Sequence, residues 1–439
     1  MLDHKDLAML HQQSTKLQGW IREQTFSPEH EKTLRRFSSW EVAELILGVN
    51  QSTFRGQLAS DPTLPSGIVE DDGRQHWFSL PEINELRKGM KIRNKPLLPY
   101  RPANARAIRA AIANFKGGAG KSTVALHFAH AAALNGYNVL MVDFDPQATL
   151  SHAMGVTDVD EEFTVWGIMA RDLVRETNRM NKAIKGASSG LSTPSYRIPS
   201  SVEQMNLGDM HPGDFIMPTA WETIDIIPSC ANAAFVEFAS AQYRHLNPDW
   251  SFFACVSRYL DQLHDDAYDI IIFDCPPAIG YQSMNAVFAS DVLYVPSGPG
   301  YWEYDSTTSF LGQLSDALGE LASGYQMTFP TGKVPLPKTF LDIRILLTRF
   351  ESNNELHQAM QSAFAKVFGD RVTQHPIELT RAVEQSGRFL CSVYEIDYRK
   401  MTRETWKRAR SSFDQAYSEF IACLHEAWPK IRSSENKEP

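Results

Sequence analysis

The chain has 439 residues, carries 43 Lys and Arg against 52 Asp and Glu for a net charge of −9, and is 43% hydrophobic, a composition that marks a globular protein too long for one ordinary core. No apolar run reaches the ~18 residues a membrane helix needs and Met1–Asp6 lacks a signal-peptide core, so a cytoplasmic protein with no membrane part is expected. Five cysteines without a Cys-x-x-Cys pair argue against a disulfide framework, a zinc site or an iron–sulfur cluster, and fit buried thiols instead.

In chain order, Leu7, Leu10, Leu17, Trp20 and Ile21 fall at helical spacing and predict a long amphipathic helix within residues 1–36, either a core-packing element or a dimer contact. Phe37–Leu47 predicts a serine-capped helix with Val42, Leu45 and Ile46 on its apolar side, and Gly48-Val49-Asn50 turns the chain into a second helix from Gln51 to Leu58. Phe54 and Leu58 would pack inward, leaving Gln51, Ser52, Thr53 and Arg55 for a DNA major groove. Gly67–Phe78 reads as a β-hairpin turning at Asp71–Arg74, and Leu80–Arg87 as a helix behind it. The succession over 37–95 resembles the winged helix-turn-helix of the MerR class, which implies sequence-specific DNA binding; a small helical interaction module with no DNA role is the alternative.

From Leu86 through Met141 there is no Asp or Glu, while ten basic residues occur. Arg87, Lys88, Lys91, Arg93, Lys95, Arg101, Arg106 and Arg109, interleaved with Pro96, Pro99 and Pro102, read as an interdomain linker centred on 96–106, either simply solvated or serving as a phosphate-contacting arm.

An apolar strand, Ala107–Asn114, then leads into Lys116-Gly117-Gly118-Ala119-Gly120-Lys121-Ser122-Thr123 and an alanine-rich helix to Leu134. Glycines at this junction let successive N–H groups face phosphate oxygens, the helix presents its positive end, Lys121 adds a mobile charge, and Ser122 offers a hydroxyl to Mg²⁺. The ordinary phosphate loop begins with Gly where this chain has Phe115, and a second lysine, Lys116, follows it. Asn138–Val142 predicts a buried strand ending in Asp143-Phe144-Asp145-Pro146-Gln147, and Tyr268–Phe273 another closed by Asp274-Cys275-Pro276-Pro277. A carboxylate at such a strand end suits Mg²⁺ bound through water.

The loop Lys-Gly-Gly-x-Gly-Lys-Ser resembles the deviant Walker A of the ParA/MinD ATPases. Asp143–Ser151 and Asp274–Pro277 resemble switches I and II of ParA, the DNA-partition ATPase, from about Arg106 to Tyr398. Together with the N-terminal segment the chain is similar to the large ParA type of low-copy plasmids, the RepA partition proteins of repABC replicons among them. That resemblance implies an ATP- and Mg²⁺-dependent homodimer in which Lys116 reaches the partner's nucleotide, Asp145 positions the attacking water, and Asp143 and Asp274 support Mg²⁺. It further implies operator-specific and non-specific nucleoid DNA as partners, a ParB-type protein that speeds hydrolysis, and repression of its own operon. Arg381 matches a family position for non-specific DNA contact, or belongs to a surface ion pair. A transcriptional regulator that binds ATP with negligible turnover is the second reading.

Between the switches, Asp160–Trp221 shows one short helical stretch, Val165–Met180, and a Ser/Gly/Pro-rich loop at 186–194. Asp291–Pro296 and Asp342–Thr348 predict further strands, and the alternation of strands and helices through 107–430 predicts a doubly wound, mostly parallel α/β sheet. Phe413, Ala416, Tyr417, Phe420, Leu424 and Trp428 define a last helix packed on the body, and 431–439 a polar tail.

Overall fold

A computed structural model describes residues 32–69, 75–92, 95–187, 196–205, 207–328, 337–383 and 390–431, with a few isolated positions before Lys32. The expected N-terminal amphipathic helix, the Asp71–Arg74 turn, the loop from Ser188 and the polar tail lie wholly or mostly outside the described residues.

Strands β1 (Phe37–Ser38), β2 (Ile68–Val69) and β3 (His76–Phe78) make a small antiparallel sheet with β3 in the centre, Phe37 opposite Phe78 and Ile68 opposite Trp77. Helices α1 (Glu41–Ile46), α2 (Gln51–Ser60) and α3 (Leu80–Gly89) pack on it, and β4 (Lys91–Ile92) pairs with β5 (Lys95–Pro96). The order helix, turn, helix, hairpin, helix is the expected one; the chain turns helical at Ser39, and Glu41–Ile46 is wound as a π-helix. Ser38 caps it as the sequence predicts: Glu41 Oε2 accepts both the backbone N–H and the hydroxyl of Ser38 at 3.0 Å, and Glu41 N–H donates back to Ser38 Oγ at 3.4 Å, a reciprocal capping pair. Downstream the ends follow sequence rules: Asn50 Oδ1 accepts Thr53 N–H at 2.8 Å, and Ser79 with Glu82 forms a reciprocal capping box on α3.

The main sheet is built from β6 (Ile108–Ile112), β7 (Val139–Asp143), β8 (Met217–Pro218), β9 (Ile224–Ile227), β10 (Ile270–Asp274), β11 (Val292–Ser297) and β12 (Asp342–Leu347). Its spatial order is β12-β11-β6-β10-β7-β9-β8, parallel except for the edge strand β8. Interleaved are α4 (Lys121–Leu134), α5 (Thr149–Ala153), α6 (Val165–Ala187), α7 (Ser200–Glu203), α8 (Val236–Leu246), α9 (Cys255–Leu260), α10 (Tyr281–Ala289), α11 (Tyr301–Thr328), α12 (Glu355–Phe368) and α13 (Arg403–Ala427). Helix α6 runs to Ala187, beyond the expected Met180, and Asn181 in this added part bonds the backbone of Tyr196 with both ends of its side-chain amide at 3.0 Å.

Successive strand residues feed opposite cores, as a two-residue period requires. Ile108, Ala110, Ile112, Met141, Ile272 and Tyr294 join α4 and α13. Ala111, Val142, Ile271, Phe273, Leu293 and Val295 join α6, α9, α10 and α11. This is the doubly wound arrangement. Helix α4 has apolar residues all round because it is covered all round: Phe128 lies 4.6 Å from Phe420, and His127 stacks on Phe413 at 3.7 Å.

Four arginines of the basic run are tied to the body. Arg87 is buried and donates to the carbonyls of Leu97 and Leu134, Arg101 pairs with Asp269 at 2.6 Å, Arg106 with Asp291 at 2.9 Å, and Arg109 with Asp261 at 2.8 Å. The linker is strapped onto the sheet's lower edge, and these four charges find their partners inside the molecule. The N-terminal helices share one continuous apolar core with α4 and α13, from Phe37, Val42 and Phe54 to Phe413 and Phe420.

Glu41 fastens that junction electrostatically, being fully buried and held by Arg35 at 2.7 Å and by Arg410 of α13 at 3.8 Å. Removing a carboxylate between two cations strands buried positive charge, so Glu41→Gln should destabilise the protein by about 3 kcal/mol. Thermal unfolding checks this: a clear fall is expected, partly restored when Arg410→Met is added, and an unchanged melting temperature would contradict the buried triad.

Candidate functional site

The three sequence motifs converge at the carboxyl ends of β6, β10 and β7, which are adjacent in that order. The loop after β6 carries Gly118 at φ 76° and Gly120 at φ 86°, conformations that glycine adopts without a Cβ clash and that turn the backbone into the first turn of α4. Its shape is held from outside. Asn114 donates to Pro296 O at 2.7 Å and to Thr307 Oγ1 at 3.1 Å, while Thr348 Oγ1, just past β12, donates to Ala119 O at 2.8 Å. Neither was identified from sequence, because nothing in a lone Asn or Thr at a strand end distinguishes a loop clamp from a turn former.

Lys121 is buried and donates to Lys116 O at 3.2 Å across the loop. Burial pulls its pKa below the usual lysine value, while Asp274 and Asp145 favour its charge. Lys116 is oriented differently: its side chain is 41% exposed and its Nζ lies 4.0 Å from Glu303 in the first turn of α11. Ser122 and Thr123 are half-buried at the amino end of α4. Gly117 lies in open surroundings, and Ala119 is buried.

Register sets Asp143 directly beside Asp274 on neighbouring strands. Both are wholly buried. Asp143 Oδ2 accepts the N–H and hydroxyl of Ser151 at 2.9 and 2.7 Å, and its Oδ1 accepts Asp145 N–H at 3.0 Å. It thereby shapes the Asp145–Ala148 turn, where Ala148 is held at φ 53°, a left-handed conformation uncommon for a residue with a Cβ. Asp145 is half-buried, and its Oδ1 caps Gln147 N–H at 3.0 Å. Burial pushes Asp143 up to about 6, opposed by its three hydrogen bonds. Asp274 is pushed well above the carboxylate range by burial and by Asp143, with the Ser122 hydroxyl and Lys121 pulling the other way.

Both Asp274 oxygens lack a hydrogen-bond partner among the described residues. A buried carboxylate of this kind, beside a serine hydroxyl, a lysine and a second carboxylate at a helix amino end, is a donor set suited to Mg²⁺ and to the phosphates it accompanies. Ser122, Asp143 and Asp274 would hold the ion or its waters, and Gly117–Thr123 the phosphates.

Two predicted groups stand apart. Arg381 is exposed, two residues before Val383, which lines a small cavity with Ser122, Thr123, His127 and Leu150. Gln51, Ser52, Thr53 and Arg55 lie on α2. Ser52 and Arg55 face solvent, and Gln51 is held between Glu44 at 2.8 Å and Arg55 at 3.3 Å.

A connection not legible in sequence joins these regions. His127 accepts Val393 N–H at Nε2, 3.1 Å, and donates from Nδ1 to Thr123 O at 2.7 Å, a neutral tautomer consistent with a pKa lowered by burial to about 3. His130 meets the Ser392 hydroxyl at 2.7 Å and stacks on Trp221 at 4.0 Å. Glu395, two residues after Val393, pairs with Lys32 at 2.8 Å, and Lys32 also donates to Ala153 O at the end of α5.

Residues 107–321 match the family model described as AAA domain. The chain is 28% identical over 414 residues to a protein of Rhizobium rhizogenes provisionally named replication protein A, covering 92% of this chain and 90% of that one. It is 24% identical over 313 residues to the chromosome partitioning protein ParA of Caulobacter vibrioides, covering 68% of this chain and 94% of the relative. A solved structure titled Partition Protein superimposes with a TM-score of 0.59 over 95% of this chain and 99% of its own, at 14% identity, a likeness of fold.

The two acids generate a pH prediction. A carboxyl group whose folded pKa is raised supports the fold fully below its unfolded value near 3.8, and that support is lost as pH rises through the folded pKa, each tenfold change in the acid constant being worth about 1.4 kcal/mol. Asp274→Asn, which resembles the protonated acid, should therefore melt higher than wild type at pH 7.5 without nucleotide, with the difference vanishing near pH 4. It should also lose stabilisation by ATP and Mg²⁺. Calorimetry at both pH values checks this, and a variant less stable than wild type at pH 7.5 would contradict the crowded-acid assignment.

Proposed function

We propose that this chain, a relative of ParA-type partition proteins with an AAA domain over residues 107–321, is a Mg²⁺-dependent partition ATPase whose nucleotide state governs its self-association and its hold on DNA. The observation that carries the reading is the unpartnered, buried Asp274 carboxylate set beside Asp143, Lys121 and Ser122 at the mouth of a glycine-rich loop. Mg²⁺, when bound, supplies positive charge across the phosphates during transfer to water. The chain's own residues do the remainder. Main-chain N–H groups of Gly117–Thr123 orient the phosphates, Lys121 neutralises their charge, and Asp145 in its half-buried turn orients the attacking water. Lys116, directed away from Lys121 and toward α11, serves the nucleotide of a second subunit.

Lys121→Ala should abolish ATP binding and turnover together, whereas Lys116→Ala should keep ATP affinity and lose hydrolysis with ATP-dependent dimerisation. Equilibrium titration of a fluorescent ATP analogue and a phosphate-release assay separate the two. Equal loss of binding in both variants would place Lys116 in its own subunit's site. Asp145→Ala should bind ATP but not hydrolyse it, and should stay longer on non-specific DNA. Negligible wild-type turnover, with DNA and a ParB-type partner present, would favour an ATP-liganded regulator.

The α2 face supports a second part of the proposal, reading of an operator in the chain's own promoter. Gln51, Ser52, Thr53 and Arg55 stand along its first turns, with Phe54 buried behind them. Arg55→Ala should weaken binding to that promoter DNA by about 1–3 kcal/mol if it contacts a base, without changing ATP affinity. Footprint protection that persists unchanged in the variant would remove Arg55 from the interface.

A further inference from the structure

Helix α11 opens with Tyr301 and Trp302, which are 62% and 71% exposed, their rings edge to face at 5.4 Å. Among the described residues few large apolar side chains are so open to water, and these two are sequence neighbours. Their place is specific. They follow β11, the strand beside β6, and the next residue is Glu303, whose Oε1 lies 4.0 Å from Lys116 Nζ. The Glu303 side chain is folded back over the turn, so that a Cβ on Gly300 would meet it at 2.4 Å and one on Gly298 at 2.8 Å. That packing fixes the first turn of α11 and with it the projection of the two rings beside the lysine.

Charges of both signs flank the rings and the loop. Glu303 and Asp305 accompany the rings, while Lys116 and the exposed Arg349 accompany the loop, the Arg349 guanidinium lying 4.0 Å from the position a Cβ on Gly118 would take. An aromatic pair with adjacent acid and base is self-complementary under a two-fold axis, where each patch meets its own copy, and Trp, Tyr and Arg are the side chains that most often carry binding energy at such centres. DNA phosphates would instead meet Glu303 and Asp305 at the rings and be repelled.

We propose that Tyr301 and Trp302 are the anchor on which a second copy of this chain docks, face to face across the nucleotide loops. The proposal rests on the reading that ATP closes a dimer over Lys116, and it assigns the apolar contact that holds the dimer once the phosphates have drawn the two lysines across. Aromatic rings bury much area at a small cost in side-chain freedom, so an exposed pair is prepared for burial without rearrangement.

Sedimentation velocity of the full chain with Mg²⁺ and a non-hydrolysable ATP analogue tests it, beside titration of the same analogue. Trp302→Ala should bind the analogue within about twofold of wild type and weaken dimerisation by about 30-fold, the effect of one hot-spot residue; Trp302→Phe should recover part of the loss. Tyr301→Ser provides an independent variant at the same patch, should the first melt below the assay temperature. Wild-type-strength dimers from both folded Ala and Ser variants would overturn the anchor while leaving the ATPase reading intact. A wild type that binds the analogue and stays monomeric would overturn both. Loss of DNA binding with dimerisation unaffected would assign the rings to nucleic acid and likewise sink the proposal.

Discussion

Two carboxylates in forced proximity set the terms for the rest of this molecule. The parallel register places Asp143 opposite Asp274 at the ends of β7 and β10, and the sheet and its helices bury both. Like charges side by side in a medium of low effective dielectric repel strongly, and desolvation adds to the cost. Asp143 recovers part of that cost from Ser151 and Asp145, which is why the chain after β7 turns as it does. Asp274 recovers little from the protein. A site that is unfavourable as an unliganded dianion becomes favourable when a divalent cation arrives, so binding energy is stored where the ligand belongs, and the phosphate loop beside it is positioned to deliver that ligand.

The second organising feature is rigidity between the loop and the N-terminal helices. A proline-rich basic stretch suggests two bodies on a tether, yet the arginines of that stretch are held in pairs with Asp269, Asp291 and Asp261, and one apolar core runs from Phe37 to Phe420. Helix α4 is the centre of this arrangement. Its first residues face the phosphate loop, its buried His127 and His130 hold the segment around Val393, and that segment meets Lys32 through Glu395. Lys32 in turn bonds the end of α5, the helix that follows the Asp145 turn. The Asp145 turn and the N-terminal unit are thus joined by contacts a few residues long.

Much of the site was legible in the chain because its chemistry is local. A glycine-rich turn needs its glycines in succession, a strand that is buried on both faces reads as an unbroken apolar run, and an acid at its end is adjacent in sequence to the turn it shapes. Lys116 to Thr123, Asp143, Asp145 and Asp274 all fall in such runs, and the helix caps at Asn50 and Ser79 obey the same short-range rules. The start of α1 obeys them too, with Ser38 and Glu41 bonded reciprocally, whereas the burial of Glu41 between Arg35 and Arg410, the latter more than three hundred residues away, is set by tertiary packing.

The amino-acid sequence by itself determined the alternation of strands and helices, the phosphate loop and the order of its acids, since each depends on interactions within about ten residues. Only the tertiary structure decided that Asp274 stands beside Asp143, that Thr348 and Asn114 clamp the loop, that three arginines of the basic stretch pair with acids, and that Tyr301 and Trp302 stay exposed in the same helical turn as Glu303, the partner of Lys116. Those facts depend on which strands become neighbours and which side chains are left without cover, and both are outcomes of packing the whole chain at once.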